Sequence, residues 1–525
     1  MNVLSAAARH QLIPTMKIND FFIHHGILGN PFSEEDAQVD LVFKSQCIKT
    51  TYHPSWDKLF GSPAEASTSI VFGEKGAGKT ALRLQMACSL GEYNAEHPDK
   101  RPLVIGYDDF NPFLDSFRSR FSAKCSTEKV LDQFKLWDHL DAILSLGTTQ
   151  IVDRILYPAQ VSYPAADTRP VSVDKLTQHQ KRDLLGLLVC YDNSRSEESQ
   201  VRFLHLMRKL RFRSWSNWFS VKKWIILAVT VIAIMLAMLG CHYYNNGLSA
   251  ALFGMGKLAV IKYVLITGVV VCLPEAVRRC KRCLDAFRLR RSIYVLRRMT
   301  KKNQNLLLEF PQNDYVSLPL PFKRESNNRY ELLERFLKII DTLGFSGMIV
   351  LIDRVDEPYL INGQTQLMKR FVWSMLDNKL LQYPGIGIKM LLLDSLLREI
   401  YKEPQEFRDR CRLDKQNLVR NLDWTGESLY DLVNSRLNAC RSGDTATAID
   451  QFFEPKVTKQ RLLDAFERLK VPRHLFKFLY KLMIAHCNMF TDSEPSWLIS
   501  AETFETTLAV DIKEREVANN TGYVN

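Results

Sequence analysis

The sequence predicts an α/β protein: a parallel sheet flanked by helices, with an inserted helical region that contains a two-helix transmembrane hairpin, and a C-terminal all-helical lid. Three observations predict this fold. Short runs rich in Val, Ile and Leu alternate with stretches of helical periodicity. A glycine-rich loop follows the first of these runs. Two apolar stretches between residues 224 and 273 interrupt the alternation.

The composition is that of a folded protein whose excess positive charge is local. The chain has 525 residues, of which 46% are hydrophobic and 24% charged, and its formal net charge is +12. Seven Lys and Arg residues lie between 202 and 223, and eleven lie between 278 and 302. The positive charges of these two segments together exceed the net charge of the whole chain, so the rest of the chain is near neutral or slightly acidic. The composition therefore disfavours nucleic acid as a general partner.

Periodicity along the chain predicts the elements and the domain boundaries. The strands are expected at 69–72, 103–107, 348–352, 388–393 and 417–422, with helices at 80–90, 176–189, 197–210 and 330–343. The parts are an N-terminal segment (1–60), the first half of the core (61–112), a helical insertion (113–222), the transmembrane hairpin (223–273), a basic helical segment that returns to the core (274–344), the second half of the core (345–426) and the helical lid with a polar tail (427–525).

The glycine-rich loop, residues 73–80, matches G-x-x-x-x-G-K-[ST] throughout and lies between a predicted strand and a predicted helix. Backbone N–H groups of such a loop and of the following helix N-terminus bind phosphate oxygens. Lys79 is expected to reach the β- and γ-phosphates, and the Thr80 hydroxyl to bind Mg²⁺. The predicted nucleotide-binding residues here are Gly73, Glu74, Lys75, Gly76, Ala77, Gly78, Lys79, Thr80 and Ala81. ATP, or another nucleoside triphosphate, with Mg²⁺ is therefore the expected cofactor.

The acidic partner of this loop is predicted at the end of the run 347–352, where a buried parallel strand by composition is followed by Asp353. Asp353 is expected to hold the metal together with Thr80. Asp356 and Glu357 follow closely, and one of them is the candidate for polarising the attacking water. The alternative is that both form local caps or salt bridges. Arg354 is expected to pair with phosphate or with a neighbouring acid.

Three further positions are weaker candidates. Asp394–Ser395 ends another predicted strand, where it is either a sensor of the γ-phosphate or a helix cap. Arg473 opens a helix in the predicted lid and is expected to reach the nucleotide from there; the alternative is a solvated helix start. A basic cluster could act in trans if the chain forms rings or dimers, although a solvated basic face is the preferred interpretation: Arg408, Arg410 and Arg412.

The apolar stretches at 224–239 and 258–273 are predicted to form a transmembrane hairpin. The second carries Lys262 and would otherwise be a re-entrant or interfacial helix. The segments that contain Lys79 and Asp353 must meet around one nucleotide, so the chain has to cross the bilayer an even number of times between them. Lys and Arg crowd both outer flanks and are absent from 242–256. The expected localisation is the inner, or cytoplasmic, membrane, multi-pass, with both terminal portions cytoplasmic.

This arrangement resembles the KAP family of P-loop NTPases, whose members carry transmembrane helices between the two nucleotide-binding motifs. The resemblance rests on residues 73–80, on Asp353 with Asp356, and on the position of 224–273. The family has a second acid directly after the metal-binding Asp, where this chain has Arg354. Asn30-Pro31-Phe32 and Pro472-Arg473 also look like segments of AAA+ and STAND ATPases. The resemblance implies membrane-associated signalling or scaffolding work and, in bacteria, defence against phage or mobile elements.

The function predicted from these features is that of an Mg-dependent ATPase that acts as a nucleotide-driven switch or assembly ATPase at the cytoplasmic membrane face. One alternative is a nucleotide-gated transport or pore protein. Another is an initiator-type, DNA-associated ATPase whose basic residues 278–302 bind nucleic acid. The expected partners are the nucleotide, the bilayer through 224–273 and an unidentified protein. Homo-oligomerisation and the choice between ATP and GTP stay open.

Overall fold

The computed structural model describes residues 15–158, 171–194, 198–212, 230–232, 234, 277, 280–281, 284–296, 306–307, 309–310, 318–443 and 446–521. Their contacts divide the chain into two compact units. The first unit comprises the described residues up to Phe110 and from Gly347 onward. The second comprises those between Asn111 and Ser346. Among the described residues, the second unit is therefore an insertion within the sequence of the first.

The first unit is built on a parallel sheet. Its described strands are β1 (Ser69–Gly73), β2 (Arg101–Tyr107), β3 (Phe345–Ile352), β4 (Ile386–Leu393) and β5 (Asn417–Val419). They are all parallel and lie in the order β2-β3-β4-β1-β5. In this register Val71 is opposite both Leu391 and Val419. The four longer strands are almost entirely buried, as expected for a sheet covered on both faces. The prediction of an α/β fold with a parallel sheet flanked by helices is confirmed.

Helices make up most of the remaining described chain. In chain order they are α1 (Ile18–His24), α2 (Trp56–Phe60), α3 (Lys79–Glu96), α4 (Asn111–Arg118), α5 (Thr127–Asp132), α6 (Leu136–Leu156), α7 (Gln178–Tyr191), α8 (Ser199–Lys209), α9 (Ser326–Thr342), α10 (Thr365–Val372), α11 (Asn378–Leu381), α12 (Asp394–Lys402), α13 (Gln405–Cys411), α14 (Gly426–Ala439), α15 (Lys459–Leu469), α16 (Pro472–Cys487) and α17 (Ala501–Thr521). A π-helical turn, Phe43–Cys47, and two 3₁₀ turns, Leu413–Lys415 and Ile449–Phe452, are further helical elements. Residues 284–292 are also helical.

The C-terminal helices of the first unit have a hydrophobic core of their own. Buried side chains of α14 to α17 form it together with aromatic residues from the N-terminal segment, such as Phe21 and Phe22. A separate apolar cluster lies between the sheet and α3 and includes Val71, Leu82 and Leu391. The N-terminal segment is therefore part of the C-terminal helical layer, although it precedes the sheet in sequence.

The second unit is helical in its described part, and a buried ion pair links its helices. Helices α6, α7 and α9 pack against one another. Arg329 of α9 donates from Nε to Asp141 of α6 at 2.9 Å, and both side chains are almost fully buried. The Tyr191 hydroxyl of α7 donates to the same carboxylate at 2.8 Å. Because a buried charge must be paired, this network holds the three helices in one arrangement.

The predicted localisation in a membrane is wrong on the evidence of the described helices. In the part of the chain that the structure describes, no helix is long and apolar enough to cross a bilayer. A span needs about 20 predominantly apolar residues. The longest described helices, α6 and α17, have 21 residues each, but both carry several Asp, Glu, Lys or Arg side chains. The predicted hairpin, 224–273, lies outside the described residues except for 230–232 and 234.

One residue of the predicted basic flank also differs from expectation. Arg202 was counted among the cations preceding the hairpin, but its side chain is fully buried in the second unit. It pairs with Asp153 at 2.6 Å and with Asp192 at 3.2 Å. A charge count along the sequence treats every Arg as solvent-facing, so it cannot separate a buried structural Arg from a surface cation.

Candidate functional site

The glycine-rich loop, residues 73–80, connects β1 to α3 at one end of the sheet. Gly76 and Gly78 have φ angles of 91° and 93°, a region that glycine adopts at no steric cost. A Cβ atom on Gly76 would lie 2.6 Å from Cβ of Arg473, so glycine also permits this close approach. Helix α3 begins at Lys79, which places its first N–H groups at the cavity lined by Lys79, Thr80 and Ala81. The loop therefore has the conformation and the helix start that phosphate binding requires.

The Lys79 side chain is bound to the loop itself. Its Nζ donates to the carbonyl oxygens of Gly73 at 2.9 Å and of Glu74 at 2.8 Å. Burial lowers the pKa of Lys79, while the carboxylates of Asp353, Asp356 and Asp394 act in the opposite direction. Lys79 is only partly buried, so an anionic ligand can reach its ammonium group and would stabilise its charge.

Asp353 follows the last residue of β3 and lies in contact with α3. It is 1% exposed and accepts a hydrogen bond from the Thr80 hydroxyl. Arg83, one turn further along α3, donates from Nε to Asp353 at 3.3 Å. Burial raises the pKa of Asp353, and the Arg83 charge and the Thr80 hydrogen bond oppose that rise. The two predicted metal ligands, Thr80 and Asp353, are therefore brought together although 272 residues separate them.

Arg83 and Asp108 are residues of this site that the sequence analysis missed. The Arg83 guanidinium also pairs with Asp108, just after β2, at 3.0 Å. Because β2 and β3 are neighbours in the sheet, one buried cation joins the ends of both strands. Residues three apart on a helix share a face, so the sequence could have predicted Arg83 on the same side of α3 as Thr80.

We expect Arg83→Met to destabilise the protein by about 3–5 kcal/mol, because it leaves the buried Asp353 carboxylate without its cation. Urea unfolding should show this as a lower midpoint with an unchanged slope. Arg468→Met, at an exposed position of α15, is the matched control and should change little. Combining Arg83→Met with Asp353→Asn should cost less than the sum of the two single changes. A loss below about 1 kcal/mol for the single change would show that the ion pair does not hold this edge together.

The turn after Asp353 carries the two predicted catalytic acids. Arg354 has a φ of 61°, which turns the chain sharply, and its Nε donates to Glu357 at 2.6 Å. Burial raises the pKa of Glu357, and the ion pair with Arg354 opposes that rise. Asp356 and Glu357 both line the cavity. Glu357 is thus held by a local cation, the salt-bridge alternative of the sequence analysis.

Two residues from the helical layer contact the glycine-rich loop. The backbone N–H of Arg473, at the start of α16, donates to the Gly76 carbonyl at 3.4 Å. Trp424, which the sequence analysis did not single out, donates from Nε1 to the Ala77 carbonyl at 2.9 Å. Arg473 therefore lies beside the loop, while a tryptophan supports the loop on the side of Gly78.

The N-terminal segment contributes acidic residues that the sequence analysis also did not predict at this site. Glu34, Glu35 and Asp36 line the same cavity. Glu35 lies 3.7 Å from Arg473 and 3.3 Å from Lys477, and Asp36 lies 3.6 Å from Arg354. Two of the cations expected to face a nucleotide, Arg354 and Arg473, are therefore paired with carboxylates of the chain itself.

The remaining candidates lie away from the cavity lining. Asp394 is the first residue of α12 and pairs with Arg398 at 2.7 Å, so it acts on Lys79 only through its charge. The cations proposed to act in trans have local contacts. Arg408 donates to the Glu403 carbonyl at 2.8 Å, Arg410 lies over the Phe407 ring, and Arg412 lies 3.5 Å from Asp414.

The donor set agrees with Mg²⁺ bound together with a nucleotide and not with a metal site made of protein alone. Among the described residues, no group of three or more His, Cys, Asp and Glu side chains could hold a metal ion. Mg²⁺ commonly takes one or two protein oxygens and completes its octahedron with phosphates and water. Thr80 and Asp353, in direct contact, are such a pair.

Comparisons of the chain with protein-family models, with curated proteins and with solved structures found no match.

Proposed function

We propose that this protein is an Mg²⁺-dependent P-loop NTPase that works as a nucleotide-driven switch. The observation that carries the proposal is the contact between Thr80 and Asp353 in the cavity that Lys79 also lines. A hydroxyl, a carboxylate and an ammonium at the end of a glycine-rich loop are the groups that bind a metal-bound triphosphate. The parallel sheet places them at the edge where ligands bind in open α/β folds.

Each residue would have a distinct task in this reaction. The N–H groups of residues 76–81 and the Lys79 ammonium would hold the phosphate oxygens. Thr80 and Asp353 would hold Mg²⁺, which would supply charge neutralisation at the transferred phosphoryl group. Asp356 would orient the attacking water and accept its proton. We assign this task to Asp356 because Glu357 is engaged by Arg354 at 2.6 Å.

The switch would depend on the C-terminal helices. Arg473 and Trp424 connect the helical layer directly to the glycine-rich loop, and this layer has its own hydrophobic core. A γ-phosphate that attracts Arg473 would therefore move α16 together with the rest of the helical layer, as one rigid body. When hydrolysis removes the γ-phosphate, Arg473 and the helical layer would be released.

The test is nucleotide binding and hydrolysis by the full-length protein. We expect a fluorescent ATP analogue to bind in the presence of Mg²⁺, and phosphate to be released from ATP at a rate that falls to background when EDTA removes the metal. Parallel titrations with GTP would identify the preferred base. Absence of binding of both nucleotides at millimolar concentration would contradict the proposal.

A further inference from the structure

The acidic segment, residues 33–39, is a loop held at both ends by one buried residue. Arg436 of α14 donates from Nε to the Pro31 carbonyl at 2.8 Å and pairs with Asp40 at 2.6 Å. Asp40 and Arg436 are each 4% exposed in their side chains. The Phe32 ring also packs near Phe476 of α16. The two ends are therefore fixed to the helical layer, and only the residues between them are free to change position.

Between these ends the segment presents carboxylates to the cations around the glycine-rich loop. Glu35 pairs with Arg473 and Lys477, and Asp36 pairs with Arg354. Glu35 and Asp36 are 43% and 41% exposed in their side chains, so water can replace these contacts. Such partly exposed ion pairs are weak and are readily exchanged for a stronger anion.

The charge balance of the cavity favours this exchange when a polyanion binds. Seven Asp and Glu residues and five Lys and Arg residues line it. Three of the seven are Glu34, Glu35 and Asp36. With them in place the lining is acidic and repels a triphosphate; without them the basic residues outnumber the acidic ones by one. The segment therefore determines the sign of the field that an arriving nucleotide meets.

We propose that the acidic segment is an autoinhibitory latch, in which Glu35 and Asp36 occupy Arg473 and Arg354 until nucleotide phosphates displace them. This inference rests on the proposed function, because it assumes that the cavity binds a nucleotide. On displacement, residues 33–39 leave the cavity while Pro31 and Asp40 stay anchored on Arg436. The nucleotide state is thereby reported as the position of an exposed acidic loop.

Neutral replacement of the latch charges tests the proposal. We expect the double variant Glu35→Gln/Asp36→Asn to bind the fluorescent ATP analogue with a Kd about three- to tenfold lower than that of the unchanged protein. The difference should shrink as salt is raised. The matched control is Glu96→Gln/Asp99→Asn, which makes the same charge change at two exposed positions, the last residue of α3 and the turn that follows it, and should leave the Kd unchanged. An equal gain in the control would show a general charge effect and overturn the latch.

A second measurement on the unchanged protein follows the segment directly. Cleavage by a glutamate-specific protease after Glu34 and Glu35, read by mass spectrometry, should become faster when Mg²⁺ and the nucleotide are added. If the protein binds nucleotide but neither the Kd of the latch variant nor the cleavage rate changes, the latch is wrong and the proposed function stands. If none of the proteins binds nucleotide, both are wrong.

Discussion

Lys79→Ala should weaken nucleotide binding by about 100-fold or more, because charge-assisted hydrogen bonds to phosphate contribute roughly 1.5–3 kcal/mol each. The Lys79 ammonium lies at the glycine-rich loop, where it donates to the Gly73 and Glu74 carbonyls. Titration of the fluorescent ATP analogue by anisotropy measures the change. Thermal unfolding without nucleotide should show that the variant is still folded.

Two further variants make this result specific. Lys79→Met keeps the aliphatic stem and removes only the charge, so it should lose affinity to a similar extent. Lys456→Ala removes an exposed lysine elsewhere in the first unit and should bind as the unchanged protein does. Unchanged binding by both Lys79 variants would place the nucleotide outside the glycine-rich loop.

Asp356→Asn should lower kcat for ATP hydrolysis by about 10²–10⁴-fold, the range for loss of a general base, while the nucleotide Kd stays the same. The matched variant is Glu357→Gln, a neighbouring charge-neutral replacement whose parent carboxylate is paired with Arg354 at 2.6 Å. It should lower kcat much less. Single-turnover phosphate release at saturating nucleotide separates these effects from changes in binding.

If Glu357→Gln lowers kcat more than Asp356→Asn does, Glu357 orients the water and Asp356 has only a local role. Small effects from both changes would mean that neither acid after β3 accepts the proton, and that this step depends on another residue of the cavity. In either case the Kd values must stay close to those of the unchanged protein, since a shift in both parameters would indicate a rearranged turn.

Much of the sheet could be predicted from local sequence. The strands near 69–72, 103–107 and 348–352 were expected within a few residues of where they lie, because Val, Ile and Leu runs bounded by Gly, Pro or Asp are local signals. Strand order was not predictable in this way. The position of β1 between β4 and β5 depends on which apolar faces fit together, and no local pattern encodes that choice.

In the site, too, local sequence predicted some residues, while the positions of others depend on contacts between distant parts of the chain. Asp353 could be expected beside Thr80, because both follow strands whose carboxyl ends meet at one sheet edge. Arg83 could be placed on the correct helix face but not assigned its two partners. The acidic segment could not be placed at all, since residues 34–36 precede the sheet, and Arg436, which holds Pro31 and Asp40 on either side of them, lies about 400 residues further along the chain.

The sheet order has a consequence for how the polypeptide is made. Strand β1 pairs with β4 on one edge and with β5 on the other, and the first of these begins only at Ile386. Strand β2 pairs with β3, which begins at Phe345. During synthesis at about 5–20 residues per second, the first apolar strand would wait on the order of 15–60 s for its neighbours. Nascent chains would expose two unpaired hydrophobic strands for that interval, so the yield of native protein should depend on chaperones that shield strand edges at the ribosome.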